Sequence, residues 1–250
     1  MRLSPLRRDG ATFVALVTDG QPEPPAYFGH DAGLNRRQHP LLHEHEAPTE
    51  LDLAGHDAAV AGGAVSLDVR SIDHFTAGHL AGSLSVSLSG RFAEQAGSVV
   101  PVGSQIVLVG SRDETMEAHI RLARIGFDDV AGALVDVADV LAGHPERAAR
   151  LSRLTAEELA ERRARLGPAL QFVDVRNPGE VAAAPVEGAT PIPLARLREH
   201  LDELDRDAPV ALVCAGGARS AVASSLLSAE GFTDVSDVLG GAGALHAATP

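Results

Sequence analysis

The sequence predicts an α/β protein in which two similar domains follow one another, each a parallel sheet flanked by helices. Two observations predict this class. The chain contains an internal repeat, and each copy alternates short apolar runs with segments of helical periodicity. Strands buried on both faces read as apolar runs, and ligands of such sheets bind beyond the carboxyl ends of the strands.

The internal repeat consists of four pairs of matching segments in one order. SLDVR matches FVDVR, AGSLSVSL matches EGATPIPL, QIVLVG matches VALVC, and ARIGFDDVAG matches SAEGFTDVSD. The separations within the pairs are 106, 106, 104 and 105 residues. The anchors are Asp68 and Asp174, Gly82 and Gly188, Gly110 and Cys214, and Gly126 and Gly231. Generic strand–turn–helix texture is the alternative explanation, but it does not require a constant separation.

Each copy predicts the same succession of strand, strand and helix. In the first copy these elements are expected at Val65–Val69, Gln105–Val109 and Thr115–Ile125. In the second copy they are expected at Leu170–Val175, Val210–Val213 and Ser220–Ala229. The repeated order favours two parallel sheets with right-handed connections.

The segments between and after the copies contain residues that predict a linker, a helix start and a turn. Pro145 marks His144–Arg150 as a linker. Thr155 and Glu158 have the spacing of a capping box, which predicts a helix at Ala156–Leu166. Residues 240–243 read GGAG, which lacks the spacing of a nucleotide-binding loop and predicts a turn before a short final helix.

These boundaries divide the chain into an arm at 1–50, a first domain at 51–145 and a second domain at 146–250. The arm contains QPEPP and the stretch HPLLHEHEAPTE, and we expect it to be extended rather than part of a core. His43-Glu44-His45-Glu46 is interpreted as a solvated polar segment, with adventitious metal binding as the alternative. We therefore expect no metal site and no metal cofactor.

Composition excludes several classes of function. A net charge of −13 and a pI near 5.2 disfavour nucleic-acid binding. No apolar stretch approaches the roughly 18 residues of a membrane span, and the N-terminus lacks the apolar segment of a secretory signal. A single cysteine rules out an internal disulfide and a multi-cysteine zinc site. We expect a cytoplasmic protein without nucleic-acid or membrane partners.

Cys214 has the surroundings of a reactive thiol. It follows an apolar strand and precedes a helix, whose N-terminus offers free N–H groups and partial positive charge. Gly216 and Gly217 let the loop curl into an anion-binding nest, and Arg219 adds a full positive charge. These features favour the thiolate, which is the nucleophilic form. The alternative is a buried cysteine beside an ordinary glycine-rich turn.

The residues around Cys214 resemble the active loop of rhodaneses. Cys214-Ala-Gly-Gly-Ala-Arg-Ser220 is similar to C-x-x-G-x-R-S, and Asp174, Arg176 and Glu180 match D-V-R-x-x-x-E. EGATPIPL resembles the family's G-A-x-x-I-P-L strand, whereas Ala184-Pro185-Val186 departs from its G-H-I. The resemblance implies that Cys214 carries sulfur as a persulfide without a cofactor. The implied substrate-binding residues are Ala215, Gly216, Gly217, Ala218, Arg219 and Ser220, with Asp174 and Arg176 bracing the loop.

The resemblance predicts a sulfurtransferase that moves a sulfane sulfur from thiosulfate or a small persulfide to a thiophilic acceptor. One alternative is a non-catalytic sulfur-relay or docking module for a separate persulfide dioxygenase. Another is a phosphatase or arsenate reductase on the same fold. Cys214 to Arg219 spans C-x4-R, and the phosphatase loops are one residue longer, so the length resembles the sulfur-handling branch.

The first copy resembles an inactive rhodanese-like domain. LDVRSIDHFTAGHLAGS matches the family's D-V-R and G-H-I-P-G-A motifs, yet Gly110 stands where Cys214 stands. Its loop is predicted to be one residue shorter, and Asp113 and Glu114 place negative charge where an anion would bind. Ser111 is a weak substitute nucleophile because no base lies nearby in sequence.

The arm resembles a connecting segment in larger bacterial proteins. Those proteins join a metallo-β-lactamase-fold persulfide dioxygenase to two rhodanese domains, the first without cysteine. Phe13, Pro24-Pro25, Tyr27-Phe28 and Asn35 carry this resemblance. The metal motif H-x-H-x-D-H of the dioxygenase is absent from the sequence, so we expect no dioxygenase activity in this chain.

Overall fold

The computed structural model describes residues 10–18, 27–34, 36 and 46–248. Its main feature is a pair of five-stranded parallel sheets. The first sheet contains β1 Glu50–Leu51, β2 Val65–Asp68, β4 Leu84–Ser85, β5 Ile106–Val109 and β6 Val130–Leu134. The second contains β8 Ser152–Leu154, β9 Gln171–Asp174, β10 Thr190–Pro191, β11 Val210–Val213 and β12 Val235–Val238. A two-stranded antiparallel pair joins β3 His79–Leu80 to β7 Ala148–Ala149.

The two sheets have the same strand order. The first is arranged β1-β6-β5-β2-β4, and the second β8-β12-β11-β9-β10 when it is described from the corresponding edge. In each sheet the central strand, β5 or β11, is fully buried and apolar, and it ends directly before the anchor residue of the repeat, Gly110 or Cys214. The predicted α/β class with parallel sheets is therefore present.

Helices flank both sheets. Those before and around the first sheet are α1 Gly10–Thr18, α2 Tyr27–Leu34, α3 Leu53–Ala61, α4 Ile72–Ala77, α5 Phe92–Val99, α6 Arg112–Ala123 and α7 Val137–Gly143. Those around the second are α8 Ala156–Leu166, α9 Pro178–Ala183, α10 Ala218–Ala229 and α11 Gly241–Ala248. Short 3-10 segments lie at Pro145–Arg147 and Gly167–Ala169, and a longer one at Leu194–Glu203.

Local capping signals explain where the predicted helices begin. The helix predicted at Ala156–Leu166 has these bounds, and the Thr155–Glu158 capping box is formed. The helix predicted from Thr115 begins earlier, at Arg112, because Ser111 and Glu114 form a second capping box. The final helix starts at Gly241, directly after the predicted turn.

The described part of the arm differs from the expectation. Residues 10–18 and 27–34 are helical, so the prediction of an extended arm does not hold for these two segments. Tyr27 is buried, and its ring packs against Gly97 on α5, which ties α2 to the core. Residues 43–45 of the HEHE segment, together with Pro24, Pro25 and Asn35, lie outside the described residues.

The repeat extends to a buried ion pair. Arg70 donates to both carboxylate oxygens of Asp68 and to the carbonyl of Gly78. Arg176 makes the same bonds to Asp174 and to the carbonyl of Ala184, and all three residues are shifted by 106 positions. Matching pairs at a constant separation show that the two halves share local structure as well as topology.

The two halves share one apolar core. A single cluster of buried side chains includes Leu108 of β5 and Leu212 of β11. Helix α10 packs against β4 and α5 of the first half. The backbone N–H of Ser85 on β4 donates to the hydroxyl of Ser225 on α10 at 2.8 Å. The helix that follows Cys214 is thus held by both halves.

Within the described residues, no helix is both long and apolar enough to cross a membrane. The same part of the chain contains no group of three or more His, Cys, Asp or Glu side chains placed to hold a metal ion.

Replacing Arg176 by Ala should strongly destabilise the protein. The carboxylate of Asp174 is 1 % exposed and would lose its cation, which costs roughly 3–5 kcal/mol. Arg196→Ala is the control, because the Arg196–Glu199 pair is exposed and should contribute less than about 1 kcal/mol. Urea unfolding measures both free energies, and equal losses would contradict the structural role assigned to the buried pair.

Candidate functional site

Cys214 lies where the central strand of the second sheet ends. Strand β11 stops at Val213, and α10 begins at Ala218, so residues 214–217 form the connecting loop. Ligands of parallel sheets bind at this edge. The thiol is free and the residue is only 1 % exposed, but Ala215, Gly216 and Ala218 around it are exposed. The sulfur is therefore buried beside a loop whose other residues are mostly exposed to solvent.

The sulfur of Cys214 accepts two hydrogen bonds. The backbone N–H of Gly217 donates to Sγ at 3.1 Å, and the hydroxyl of Ser220 lies 3.5 Å from it. Gly217 is the N-cap of α10 with φ +96°, a left-handed conformation that favours glycine. A polar donor and the positive end of a helix thus face the sulfur, as the sequence predicts.

The short final helix holds the loop from the other side. The N–H of Ala242 donates to the carbonyl of Cys214 at 2.7 Å, and the N–H of Gly243 donates to the carbonyl of Ala215 at 3.2 Å. Because C=O and N–H point in opposite directions across a trans peptide, the N–H groups of Ala215 and Gly216 point away from α11. The GGAG stretch predicted as a turn therefore also orients the loop.

Gly241 is required by this close approach. Its φ is +56°, and a Cβ at this position would overlap the carbonyl oxygen of Cys214 and the backbone of Ala215. Sequence reasoning identified the glycines of this stretch but not their contact with the loop.

The guanidinium of Arg219 is paired with a carboxylate. Its guanidinium donates two hydrogen bonds, of 2.6 and 2.7 Å, to the two carboxylate oxygens of Glu180. These bonds lower the pKa of Glu180 and raise that of Arg219, so both groups stay ionised at neutral pH. Glu180 lies on α9 and was identified only as part of a motif. The structure makes it the direct partner of the loop arginine.

In the part of the chain that the structure describes, the side chains of Asp174 and Arg176 make no hydrogen bond to the loop at Cys214. Their bonds are to each other and to the carbonyl of Ala184, directly after α9. They hold the end of the helix that carries Glu180, and Glu180 in turn holds Arg219. The predicted bracing of the loop is therefore indirect.

Two residues that sequence reasoning missed support the loop from beneath. Asp237 on β12 is fully buried, and burial raises its pKa despite its bonds to Arg153. Arg153 on β8 donates to Asp237 and lies 3.5 Å from the carbonyl of Gly217. Asp237 could have been noticed in the sequence because it is a charged residue within the strand segment VSDV, where a buried charge needs a partner.

The corresponding loop of the first half is one residue shorter, as the sequence predicts. The strand residues before the two loops, Val109 and Val213, are 104 positions apart. The matching N–H groups of Phe127 and Phe232 after the helices are 105 positions apart.

The carboxylate of Glu114 accepts hydrogen bonds from the N–H and the hydroxyl of Ser111. A Cβ at Gly110 would lie 3.4 Å from this carboxylate. Negative charge thus occupies the place that a sulfur side chain would enter.

Known sequences match part of the chain. The sequence model of the family described as "Rhodanese-like domain" matches residues 155–248. The chain is 37 % identical over 71 residues to the uncharacterized protein YqhL of Bacillus subtilis, spanning 28 % of this chain and 56 % of that protein. It is 30 % identical over 91 residues to a protein named sulfurtransferase from Allochromatium vinosum, covering 36 % of this chain and 84 % of that one. It is 34 % identical over 89 residues to the thiosulfate sulfurtransferase GlpE of Pseudomonas putida, covering 36 % and 79 %.

Solved structures give matches of similar extent. A rhodanese-like domain protein from Staphylococcus aureus is similar over 38 % of this chain and 91 % of its own, with 32 % identity and a TM-score of 0.35. A metallo-beta-lactamase from Staphylococcus aureus subsp. aureus COL is similar over 51 % of this chain and 35 % of its own, with 23 % identity and a TM-score of 0.42.

Gly241→Ala should loosen the loop. The alanine must adopt a left-handed conformation and displace the backbone of Cys214, so the free energy of unfolding should fall by about 2 kcal/mol. Gly243→Ala is the matched control, because a Cβ there meets Ala215 at an ordinary 3.6 Å. Chemical denaturation of both variants measures the difference, and an unchanged stability of Gly241→Ala would contradict the close approach.

Proposed function

The chain belongs to the family of rhodanese-like domains, and we propose that it is a sulfurtransferase that carries a sulfane sulfur as a persulfide on Cys214. The observation that carries the proposal is the hydrogen bond from the Gly217 N–H to the cysteine sulfur at the N-terminus of α10. Such a donor stabilises negative charge on sulfur and needs no metal or organic cofactor. The relatives named as sulfurtransferases support the same class of activity.

The proposed reaction has two nucleophilic steps. In the first, the Cys214 thiolate attacks the outer sulfur of the donor, a new S–S bond forms, and the donor's own bond to that sulfur breaks. The leaving group, sulfite or a thiolate, departs with the bonding electron pair. In the second, a thiophilic acceptor attacks the outer sulfur of the persulfide, and the Cys214 thiolate is released.

The loop geometry suits both charged forms of Cys214. In the thiolate the charge lies on Sγ, where Gly217 donates. In the persulfide the charge lies one sulfur further out. The N–H groups of Ala215 and Gly216 point away from α11 because their peptide carbonyls are bound by that helix, which leaves them free to receive the outer sulfur.

We also propose that the chain is divided as its repeat suggests. Residues 146–250 would form the catalytic domain, residues 51–145 an inactive rhodanese-like domain, and residues 1–50 an N-terminal arm. The shared strand order and the repeated Asp–Arg pair support this division. Glu114 beside Gly110 supports the loss of activity in the first copy. Its role would be to pack against α10 and keep the catalytic loop in place.

Cys214→Ser should abolish sulfur transfer. Intact-protein mass spectrometry of the wild type should show a gain of one sulfur atom after incubation with a sulfane-sulfur donor, and its loss after cyanide. The serine variant preserves the size of the side chain but lacks the thiolate, so it should show neither change. Gly110→Cys in the Cys214→Ser background is the control for a thiol at the equivalent position of the first half, and it should not restore transfer. Transfer by Cys214→Ser alone would contradict the assignment.

Ser220→Ala should slow the reaction without unfolding the protein. Its hydroxyl lies within reach of Cys214 Sγ and Asp237, and losing one such bond costs about 1 kcal/mol, or roughly fivefold in kcat/KM. Ser224→Ala, one turn further along α10, is the matched control. That hydroxyl is equally buried but has no hydrogen-bond partner. Equal effects on kcat/KM would contradict the contact of Ser220 with the sulfur.

A further inference from the structure

We propose that Glu180 determines the class of sulfur donor: by neutralising Arg219 it adapts the loop to low-molecular-weight thiol persulfides and disfavours the dianion thiosulfate. This inference rests on the proposed function of Cys214 and deepens it. It makes Glu180 a specificity-determining residue, although Glu180 itself does not touch the sulfur.

The pair between Arg219 and Glu180 has the geometry of a strong, directional contact. Two parallel hydrogen bonds of 2.6 and 2.7 Å join guanidinium and carboxylate. Both side chains are partly shielded, with 21 % and 37 % exposure. The backbone N–H of Asn177 donates to the same carboxylate at 3.1 Å, so Glu180 is also held by the start of its own helix. An anion would have to displace a fixed carboxylate to reach the full charge of Arg219.

The other arginines near the loop are also paired. Arg176 binds Asp174, and Arg153 binds Asp237 and contacts Asp73. Arg91 pairs with Glu94, whose negative charge is felt by Arg219. Each of these four arginines thus has a carboxylate partner. The ion pairs are Arg219–Glu180, Arg176–Asp174, Arg153–Asp237 and Arg91–Glu94.

The remaining attraction for an anion comes from backbone groups. The N-terminus of α10 is equivalent to roughly half an elementary charge, and the Gly217 N–H is directed at the sulfur. This suits one negative charge on one sulfur atom. Thiosulfate carries two negative charges, and the whole chain has a net charge of −13, which adds repulsion.

The two donors differ in the charge that enters and leaves. With a persulfide, Cys–S⁻ and R–S–SH give Cys–S–SH and R–S⁻, so a neutral or singly charged donor expels a monoanion. With thiosulfate, Cys–S⁻ and S–SO₃²⁻ give Cys–S–S⁻ and SO₃²⁻, so a dianion must enter and a dianion must leave. Neither reaction needs an external oxidant or reductant. The loop with a neutralised Arg219 stabilises the charges of the persulfide reaction better than those of the thiosulfate reaction.

The test compares cysteine persulfide and thiosulfate as donors to the wild type and to Glu180→Gln. Gln keeps the shape of the side chain and can accept from Asn177, but it removes the negative charge. We expect kcat/KM for thiosulfate to rise about tenfold through KM, the lower end of what removing one nearby charge does to an ionic equilibrium. Activity with cysteine persulfide should change by a much smaller factor than activity with thiosulfate, since a donor of low charge gains little from the freed guanidinium.

Glu158→Gln is the matched control. Glu158 occupies the same capping-box position on α8 as Glu180 does on α9. Replacing either glutamate by glutamine changes the net charge by the same amount. Glu158 bonds to Thr155 and makes no ion pair with the loop arginine, so both donors should react as in the wild type. If Glu158→Gln raised thiosulfate activity as much as Glu180→Gln, the net charge of the protein would explain the effect, and the inference would fail.

Salt dependence tests the inference in the wild type as well, independently of whether a variant folds. The KM of the wild type for thiosulfate should fall or stay constant as KCl increases, because salt screens repulsion. In Glu180→Gln it should rise, because salt screens attraction to the freed Arg219. A wild-type preference for thiosulfate, or a KM that rises with salt in the wild type, would overturn the inference. Failure of the proposed function looks different, because neither donor would then load sulfur onto Cys214.

Discussion

The chemistry proposed for Cys214 depends on one hydrogen bond, from the Gly217 N–H to the sulfur of Cys214. The sulfur is almost completely removed from solvent and belongs to an otherwise apolar cluster, so an unsupported negative charge there would be costly. The amide of Gly217 donates to this sulfur, and Gly217 adopts a left-handed conformation at the start of α10. The conformation of the loop around this bond is therefore the feature that the surrounding elements stabilise.

Three elements keep the loop in this conformation. Helix α11 donates hydrogen bonds to the carbonyls of Cys214 and Ala215. Arg153 on β8 contacts both Asp237 and the carbonyl of Gly217. Arg153 also contacts Asp73 of the first half. At the side, α10 itself packs against β4 and α5. The half without a cysteine thus contacts both α10 and Arg153, two of the groups that hold the loop.

Much of this arrangement could be predicted from the sequence because it is local. The capping box at Thr155 defines α8, and the apolar run before Cys214 defines β11. The strand-to-helix transition, with its glycines, places the thiol at a helix N-terminus. The repeat of Asp68 and Arg70 at a separation of 106 residues predicted equivalent structure in the two halves, and both ion pairs are present.

The contacts that were missed join residues that are far apart in the chain. Arg219 and Glu180 are separated by 39 positions, and Arg153 and Asp237 by 84. Periodicity indicates which face of an element is buried, but it does not indicate which charged groups meet across elements. The helices at 10–18 and 27–34 were missed for a related reason. Their glycines and short length disfavour helix from propensity alone, whereas burial of Tyr27 against α5 depends on tertiary packing.

The most direct measurement is a crystal structure of the protein after incubation with a sulfane-sulfur donor. The additional sulfur should be bonded to Cys214 Sγ and surrounded by the backbone N–H groups of residues 215–217, with α11 still bound to the loop carbonyls. An unmodified Cys214 in donor-treated crystals, or an added sulfur directed into the apolar core away from these amides, would show that the loop does not hold a persulfide.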